Sequence, residues 1–298
     1  MSQTDMTKND ELNRYLFDDK HARGELVQLS KSYQSIISNH DYPLSVRLLL
    51  GELLAATCLL TATLKFEGEI TVQLQGDGPV GYMSVNGDNN QQMRGIAKLS
   101  QAHIPSTVTR LHDLMGKGTM VITIRPTQGE PYQGVVALEQ PTLADCLAHY
   151  FEVSEQIPTK IWLFSDDDKQ QVAGSLVQLL PDGDGSIENK DKQQDDFDHL
   201  TQLTNTIKAD EIFTLEAQAL LYRLYHQEKV SLFEPQVVSY QCGCSSDKCL
   251  AAISQVEPTE ISAILAEQGK ISMTCEYCLT TYDFYSDDLK SFTSKQVH

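Results

Sequence analysis

Apolar residues recur at helical spacing early in the chain. In residues 44–64 they fall three and four positions apart, and Pro43 occupies a position that the first turn of a helix tolerates. We therefore predict a long apolar helix here. The same spacing predicts a second helix over residues 141–151, built around Leu143 and Leu147.

Between these helices the pattern changes to the alternation that is typical of half-buried strands. Ile70, Val72 and Leu74 alternate with polar neighbours, and turns rich in glycine follow. Further strands are predicted in residues 120–124, in residues 134–138 and from Trp162 onward, with a last apolar segment in residues 172–180. Helices and strands therefore share residues 1–180, which indicates an α+β core domain of mixed sheet and helix.

The composition changes after residue 180. Residues 182–198 hold seven acidic residues, two lysines and two glycines, with almost nothing to bury. A segment of this composition gains too little from burial to offset the entropy of ordering. We therefore predict a loop or linker over these residues.

An amphipathic helix is predicted next, over residues 211–227, with Asp210 or Thr214 as its N-terminal cap. Its apolar face consists of Phe213, Ala217, Leu220, Leu221, Leu224 and Tyr225. Such a face usually packs against a neighbouring element. The acidic and helical linker accordingly spans residues 181–237, and a small third domain spans residues 238–298.

The net charge limits the partners that this chain can bind. Its 298 residues include 23 Lys+Arg and 41 Asp+Glu, which gives a formal charge of −18. Because such a chain repels phosphate overall, we expect neither nucleic acid nor an anionic membrane as a partner. The polar N-terminus lacks an apolar signal region, and the most apolar run, residues 53–64, is shorter than a membrane span. We therefore expect a cytoplasmic protein with reduced thiols.

Five of the seven cysteines fall in the third domain. One residue separates Cys242 from Cys244, two residues separate Cys275 from Cys278, and 30 residues lie between the pairs. Each pair on a tight turn can supply two corners of the tetrahedron that zinc prefers, and this domain has no histidine before residue 298. We predict one zinc ion per chain, bound by these four thiolates in the reduced protein.

The remaining cysteines are interpreted as packing residues. Cys58 and Cys146 lie on apolar helix faces, where a free cysteine behaves as a small buried hydrophobe. Cys249 could be a fifth ligand, a redox thiol or a packing residue, and we favour packing because two pairs already complete a tetrahedron. Between the two pairs a helix is predicted, beginning near Pro258 and ending at Gly269.

Together these features resemble one known family. The C-x-C pair, the 30-residue gap and the C-x-x-C pair form the zinc motif of the 33 kDa chaperonin family, the redox-regulated holdase chaperones. Other blocks similar to this family are Arg14-Tyr15-Leu16-Phe17, Ala22-Arg23-Gly24, His40-Asp41-Tyr42-Pro43, Leu50-Gly51-Glu52-Leu53-Leu54-Ala55-Ala56-Thr57, Gln73-Leu74-Gln75-Gly76-Asp77-Gly78-Pro79, Met93-Arg94-Gly95 and Tyr150-Phe151-Glu152-Val153-Ser154-Glu155-Gln156. The blocks cover nearly the whole chain, and no zinc position departs from the motif.

The cysteine spacing alone does not imply a redox function, because most four-cysteine zinc sites are structural and inert. The resemblance to the family does imply one. Members of the family are chaperones that use no ATP, are not enzymes, and are inactive when reduced with zinc bound. Oxidative stress, usually with heat, converts the ligands to disulfides between near neighbours and releases the metal. The zinc domain and the linker then unfold, unfolding client proteins are held, and activation is associated with homodimer formation. Carried over, the disulfides are Cys242–Cys244 and Cys275–Cys278.

The apolar face of the predicted linker helix is the candidate client-binding surface. Its residues are Phe213, Leu220, Leu221, Leu224 and Tyr225. Because the acidic stretch before it offers little to bury, this helix must gain its stability by docking on a neighbour. We expect the face to be buried in the reduced protein and exposed in the oxidised one.

The sequence disfavours two other classes of protein. A zinc ribbon that binds nucleic acid is disfavoured because residues 240–298 contain eight acidic residues, four lysines and no arginine, a net charge of −4. A thiol–disulfide oxidoreductase is disfavoured because the C-x-x-C pair is matched by a second cysteine pair instead of opening a helix in a thioredoxin-like fold. The sequence also contains no Walker-type phosphate loop and no convincing catalytic triad.

Overall fold

The structure is a computed structural model that describes residues 10–63, 67–180 and 187–290. The chain divides into two compact units, Met1–Tyr240 and Gln241–His298. Both units combine helices with paired strands, which confirms the α+β class. The predicted domain boundaries at residues 180 and 237 stay predictions.

The first unit is built on two sheets. Its strands are β1 (Glu11–Phe17), β2 (Ala22–Leu29), β3 (Gly68–Gly76), β4 (Val80–Asp88), β5 (Gln92–Leu99), β6 (Gly118–Pro126), β7 (Tyr132–Ala137), β8 (Thr159–Asp166), β9 (Gln171–Leu179), β10 (Val230–Leu232), β11 (Gln236–Val237) and β12 (Ser239–Tyr240). Sheet A has the order β10-β1-β2-β9-β8, with β11 also paired to β1. Sheet B has the order β12-β5-β4-β3-β6-β7. All neighbours are antiparallel except β12 and β5.

Seven α-helices accompany these strands in the described part of the first unit. They are α1 (Lys31–Ile37), α2 (Leu44–Thr63), α3 (Leu111–Met115), α4 (Leu143–Tyr150), α5 (Ile187–Thr204), α6 (Ala209–Thr214) and α7 (Ala217–Tyr225). A single π-helical turn, Phe151–Glu155, extends α4. The two helices predicted before residue 180 are confirmed; residue 64, predicted to end the first of them, lies outside the described residues.

Helix α2 is the centre of the first unit. It packs against strands of both sheets, and Leu50, Leu53 and Leu54 are completely buried in the cluster that joins them. Among the described helices it is long and apolar enough to span a membrane, but 78% of its most apolar window is buried inside the protein. It is therefore the core helix between the two sheets.

Sheet A is covered on both faces. Along β9, Val172 and Leu176 join the cluster around α2, while Ala173 and Val177 join a second cluster formed with α5, α6 and α7. Strands buried on both faces read as continuous apolar runs and lack the alternation of half-buried strands. β9 shows such an apolar run, whereas in β1 and β2 the buried polar residues Asn13 and Glu25 interrupt it, so neither an apolar run nor alternation locates these two strands.

Two predictions about the linker are wrong. The loop predicted over residues 182–198 is helical from residue 187 onward, while residues 181–186 lie outside the described residues. Phe197 and Leu200 are buried in the second cluster, so tertiary contacts order this helix in spite of its acidic composition. The single helix predicted over residues 211–227 is instead α6 and α7, whose N-terminal caps are Lys208 and Glu216.

The second unit is small. It contains α8 (Ser246–Ile253), α9 (Pro258–Gln268) and a hairpin of β13 (Ile271–Thr274) with β14 (Thr281–Phe284). Helix α9 begins at Pro258 and stops before its C-cap Gly269, which has a left-handed φ of 74°, as the sequence predicts. The buried apolar side chains described in this unit are Ile253, Ile261, Phe284 and Leu289.

Candidate metal centre

The first cysteine pair lies in the irregular segment just before α8. Cys242 and Cys244 are both half-buried there. The hydroxyl of Ser245 accepts a hydrogen bond from the backbone N–H of Lys248 and so caps α8. The ammonium group of Lys248 in turn donates to the carbonyl of Gly243, 2.5 Å away. Capping of the helix thus fixes the backbone that presents this pair.

The second pair lies in the turn that joins β13 to β14. The backbone N–H of Cys275 donates to the carbonyl of Thr280, and the N–H of Leu279 donates to the carbonyl of Cys275, both at 2.9 Å. Leu279 has a left-handed φ of 57°, which lets the chain close around the C-x-x-C segment. The hairpin therefore directs both sulfurs of this pair to one place.

The four sulfur atoms meet in one cluster. The Sγ atoms of Cys242 and Cys275 are 3.5 Å apart, as are those of Cys244 and Cys278, and all four lie within 4.8 Å of one another. Four thiolates bonded to one zinc ion at its usual Zn–S distance stand about 3.8 Å from each other. The four cysteines are therefore positioned to bind a single metal ion.

The cysteines of the cluster differ in acidity. Burial raises the pKa of Cys242 to about 12. Burial also acts to raise the pKa of Cys278, but hydrogen bonds with Thr280 and with the neighbouring sulfurs outweigh it and lower the value to about 6. The sulfur of Cys278 lies 3.3 Å from the hydroxyl of Thr280. Cys278 therefore loses its proton more readily than Cys242.

Two residues near the sulfurs lie outside the motif that the cysteine spacing predicts. The hydroxyls of Thr280 and Tyr282 lie 3.3 Å from the Sγ atoms of Cys278 and Cys244, respectively. The hydrogen bond with Cys244 raises the pKa of Tyr282 to about 12. Both residues follow the C-x-x-C pair within four positions. Polar residues just after that pair are therefore the sequence feature from which these two contacts could have been predicted.

A family model described as Hsp33 protein matches residues 10–285. The chain belongs to the Hsp33 family. A 33 kDa chaperonin of Colwellia psychrerythraea is 72% identical over 98% of this chain and 100% of its own length. One from Vibrio vulnificus is 55% identical over 93% of each chain. The crystal structure of the 33 kDa chaperonin from Thermotoga maritima shares the fold, with a TM-score of 0.81, 20% identity and coverage of 95% of this chain and 98% of that one.

The cysteines outside the cluster of this Hsp33 family member lie in apolar surroundings. Cys58 and Cys146 are fully buried, and burial raises the pKa of both thiols. Cys249 lies within α8 and packs, partly buried, against the small core of the second unit. Among the described residues, the group of side chains close enough together to hold a metal ion consists of the four clustered cysteines and does not contain Cys249. The packing interpretation of Cys58 and Cys146 is thus supported by their burial.

The candidate client-binding residues are buried in this structure. Phe213, Leu220, Leu221, Leu224 and Tyr225 all belong to the cluster between the linker helices and sheet A. The ring of Tyr225 contacts those of Tyr15 and Phe17 in β1, with centroids 5.9 and 4.9 Å away. Their face therefore covers sheet A and is closed to other partners while the helices are docked.

Proposed function

We propose that this chain is a redox-regulated holdase that uses no ATP and binds unfolding proteins under oxidative and heat stress, without enzymatic activity. The observation that carries the proposal is the cluster of four half-buried cysteine sulfurs within 4.8 Å of one another. In the cytoplasm, where thiols are kept reduced, such a cluster holds a metal instead of disulfides. Family membership supports the chaperone function.

Zinc is the proposed metal, one ion per chain, with Cys242, Cys244, Cys275 and Cys278 as its ligands. A tetrahedral set of four thiolates without histidine is typical of zinc or of iron–sulfur sites, and structural zinc is commonly held this way. Bound zinc would keep the thiolates deprotonated and supply the folding free energy of the second unit. With four buried apolar side chains described, this unit depends on such a contribution.

Oxidation is proposed to convert the four thiols into the disulfides Cys242–Cys244 and Cys275–Cys278. In each pair two thiols lose two electrons and two protons to one peroxide molecule, which becomes two water molecules, so two peroxides are consumed per chain. The 3.5 Å contacts in the folded unit join the pairs crosswise. We favour the local pairs because, once the unit unfolds, cysteines close in sequence form the shortest loops.

Loss of the metal is then proposed to free the linker helices from sheet A and to expose Phe213, Leu220, Leu221, Leu224 and Tyr225. Apolar surface of this kind binds unfolding proteins through contacts that need no particular client sequence. Homodimer formation on activation is part of the proposal, since exposed apolar faces on two chains can cover each other. Nucleic acid and membranes are not proposed partners.

The test follows one sample through peroxide treatment. Metal content, free thiols, hydrogen exchange in residues 209–225 and suppression of client aggregation, measured by light scattering, are recorded before and after. We expect one zinc and seven thiols before, and no zinc, three thiols, faster exchange and suppression afterwards. Peptide mapping should find Cys58 and Cys146 reduced, because burial protects them.

Cys275→Ser serves as the matched variant, with Cys249→Ser as its control. The first should lose zinc affinity and the second should keep it. Full zinc affinity in Cys275→Ser refutes the ligand assignment, and crosswise bridges in the peptide map refute the local disulfides. If the oxidised protein suppresses aggregation while residues 209–225 keep their protection, the linker is not the client surface.

A further inference from the structure

The linker helices α6 and α7 meet at a break in the helical path. Leu215 and Glu216, which join them, have extended backbones with ψ angles of 143° and 150°. A helix that stops leaves the carbonyl groups of its last turn without helical partners. Ile212 lies in the last turn of α6 and Leu215 is its C-cap, so a donor from elsewhere in the fold can fix the position of the break.

Gln28 of β2 donates to both of these carbonyls. Its Nε2 atom lies 2.5 Å from the oxygen of Ile212 and 3.0 Å from the oxygen of Leu215. A side-chain amide nitrogen carries two protons. Both amide protons of the half-buried Gln28 side chain are therefore donated to the backbone of the linker.

The position of Gln28 in sheet A explains this contact. Side chains alternate along a strand, and Leu26 belongs to the linker cluster whereas Val27 and Leu29 belong to the cluster around α2. Gln28 therefore lies on the linker side. Its strand is interior to the sheet, between β1 and β9, so its backbone is held on both sides.

The other contacts between the break and sheet A are mostly apolar, and the ion pair of Arg223 with Glu211, at 2.7 Å, joins α7 to α6 and not to the sheet. Ile212, Phe213 and Ala217 pack in the linker cluster on this face. Apolar contacts are non-directional, so they favour docking without fixing where the break lies. The hydrogen bonds from Gln28 to two defined carbonyls add a positional constraint between the break and the sheet.

We infer that Gln28 is a positioning residue that holds the break between α6 and α7 on sheet A in the reduced protein and sets how readily the linker undocks. The inference rests on the proposed function, in which undocking exposes the client face. Without the amide, the docked carbonyls lose two hydrogen bonds, while the undocked carbonyls bond to water in either case. The undocked state is then populated more often with no change at the sulfurs.

The test uses Gln28→Met and Gln28→Glu in the full-length, reduced, zinc-loaded chain. Met keeps the length of the side chain and removes the donor, whereas Glu keeps the shape and turns a carboxylate toward two carbonyl oxygens. Hydrogen exchange in residues 209–225 should accelerate about tenfold in Gln28→Met and more in Gln28→Glu. Both reduced variants should suppress client aggregation in part, with zinc content and exchange in residues 246–284 unchanged.

Gln73→Met is the matched control. Gln73 is a half-buried strand glutamine of sheet B whose Nε2 donates to the hydroxyl of Tyr82, 2.8 Å away, and not to the linker. The same loss of an amide there should leave exchange in residues 209–225 at the wild-type rate. Peptides from β2 and β9 report in every variant whether sheet A is folded.

Wild-type exchange in residues 209–225 of both Gln28 variants, with β2 and β9 protected, overturns the inference. Faster exchange without aggregation suppression by the reduced variants overturns the link between this contact and activity. The proposed function is tested separately, on oxidised wild-type protein. If that protein does not suppress aggregation, the proposed function is refuted whatever the Gln28 variants do. If Gln28→Glu does not fold, Gln28→Met alone decides the matter.

Discussion

The two compact units differ in what holds them together. In the first unit, apolar side chains from both sheets and α2 form one continuous cluster, with Leu50, Leu53 and Leu54 at its centre. In the described part of the second unit four apolar side chains are buried, among them Ile261 and Phe284. Each buried side chain of this kind contributes about 1.5–3 kcal/mol, while ordering each residue of the chain costs about 1.5 kcal/mol. A metal bound by the four cysteines would therefore matter to the stability of the second unit in a way that it does not for the first.

This difference fits the proposed response to oxidants. If a metal on the four thiolates stabilises the second unit, that unit would unfold when the thiolates react, because its apolar core is too small to replace the metal. A unit with a large core keeps its fold through the same reaction. The linker helices are intermediate: they are apolar where they dock on sheet A and acidic elsewhere.

Among the changes that test the difference in stability between the two units, removal of the metal should have the largest effect. Chelation under reducing conditions takes away on the order of 10 kcal/mol from the second unit. We expect residues 246–284 to lose their protection from hydrogen exchange while α2 and β3 keep theirs. A metal-free second unit that stays protected would contradict the comparison, and readdition of zinc to the reduced chain should restore protection.

Matched truncations in the two cores should have the next largest effect. Leu54→Ala and Ile261→Ala each remove a buried side chain and should cost about 2–5 kcal/mol. For Leu54 the loss should appear as a lower urea midpoint of the first unit with unchanged zinc affinity. For Ile261 it should appear as weaker zinc binding, because folding and binding are coupled there.

Val256→Ala is the control for the second of these truncations. Val256 is exposed and lies in the same unit, so its truncation should leave zinc affinity unchanged. Equal effects of Ile261→Ala and Val256→Ala would mean that the small core does not support the metal site. A change in zinc affinity from Leu54→Ala would mean that the core around α2, and not the linker helices alone, is coupled to the metal site.

A smaller effect on the stability of the first unit is expected from Glu25, a buried carboxyl in β2 that destabilises the folded state when it is ionised. Burial raises the pKa of Glu25 from 4.5 to about 7, although Arg23 and Arg14 act to lower it. Below pH 4.5 the carboxyl is protonated in both the folded and the unfolded chain. As the pH rises to 7 the unfolded chain ionises first, so the folded state loses about 3 kcal/mol, and the loss is complete above pH 7.

Glu25→Gln stays neutral at every pH. It should therefore stabilise the first unit by up to about 3 kcal/mol at pH 8 and by nothing at pH 4. Urea unfolding followed by the fluorescence of Trp162, the single tryptophan of the chain, measures both values. A gain that is the same at the two pH values would assign the effect to packing instead of charge.

Much of this protein could be predicted from the sequence because the relevant signals are local. The spacing of Cys242, Cys244, Cys275 and Cys278 predicts a metal site, and their sulfurs do lie in one cluster. The apolar periodicity of α2 and the alternation in β3 predict those elements correctly. The αL residue Gly269 ends α9 for a reason that is equally local, since glycine has no Cβ to oppose a positive φ.

The remaining features were decided by tertiary structure. Sheet A is covered on both faces, which removes the alternation that would have located β1 and β2. The acidic segment after residue 186 is helical because Phe197 and Leu200 dock on that sheet, and composition does not report on a docking partner. The break between α6 and α7 is held by Gln28, about 185 positions earlier in the chain. Contacts between residues so far apart in sequence leave no local pattern, so folding brings them together and sequence periodicity cannot show them.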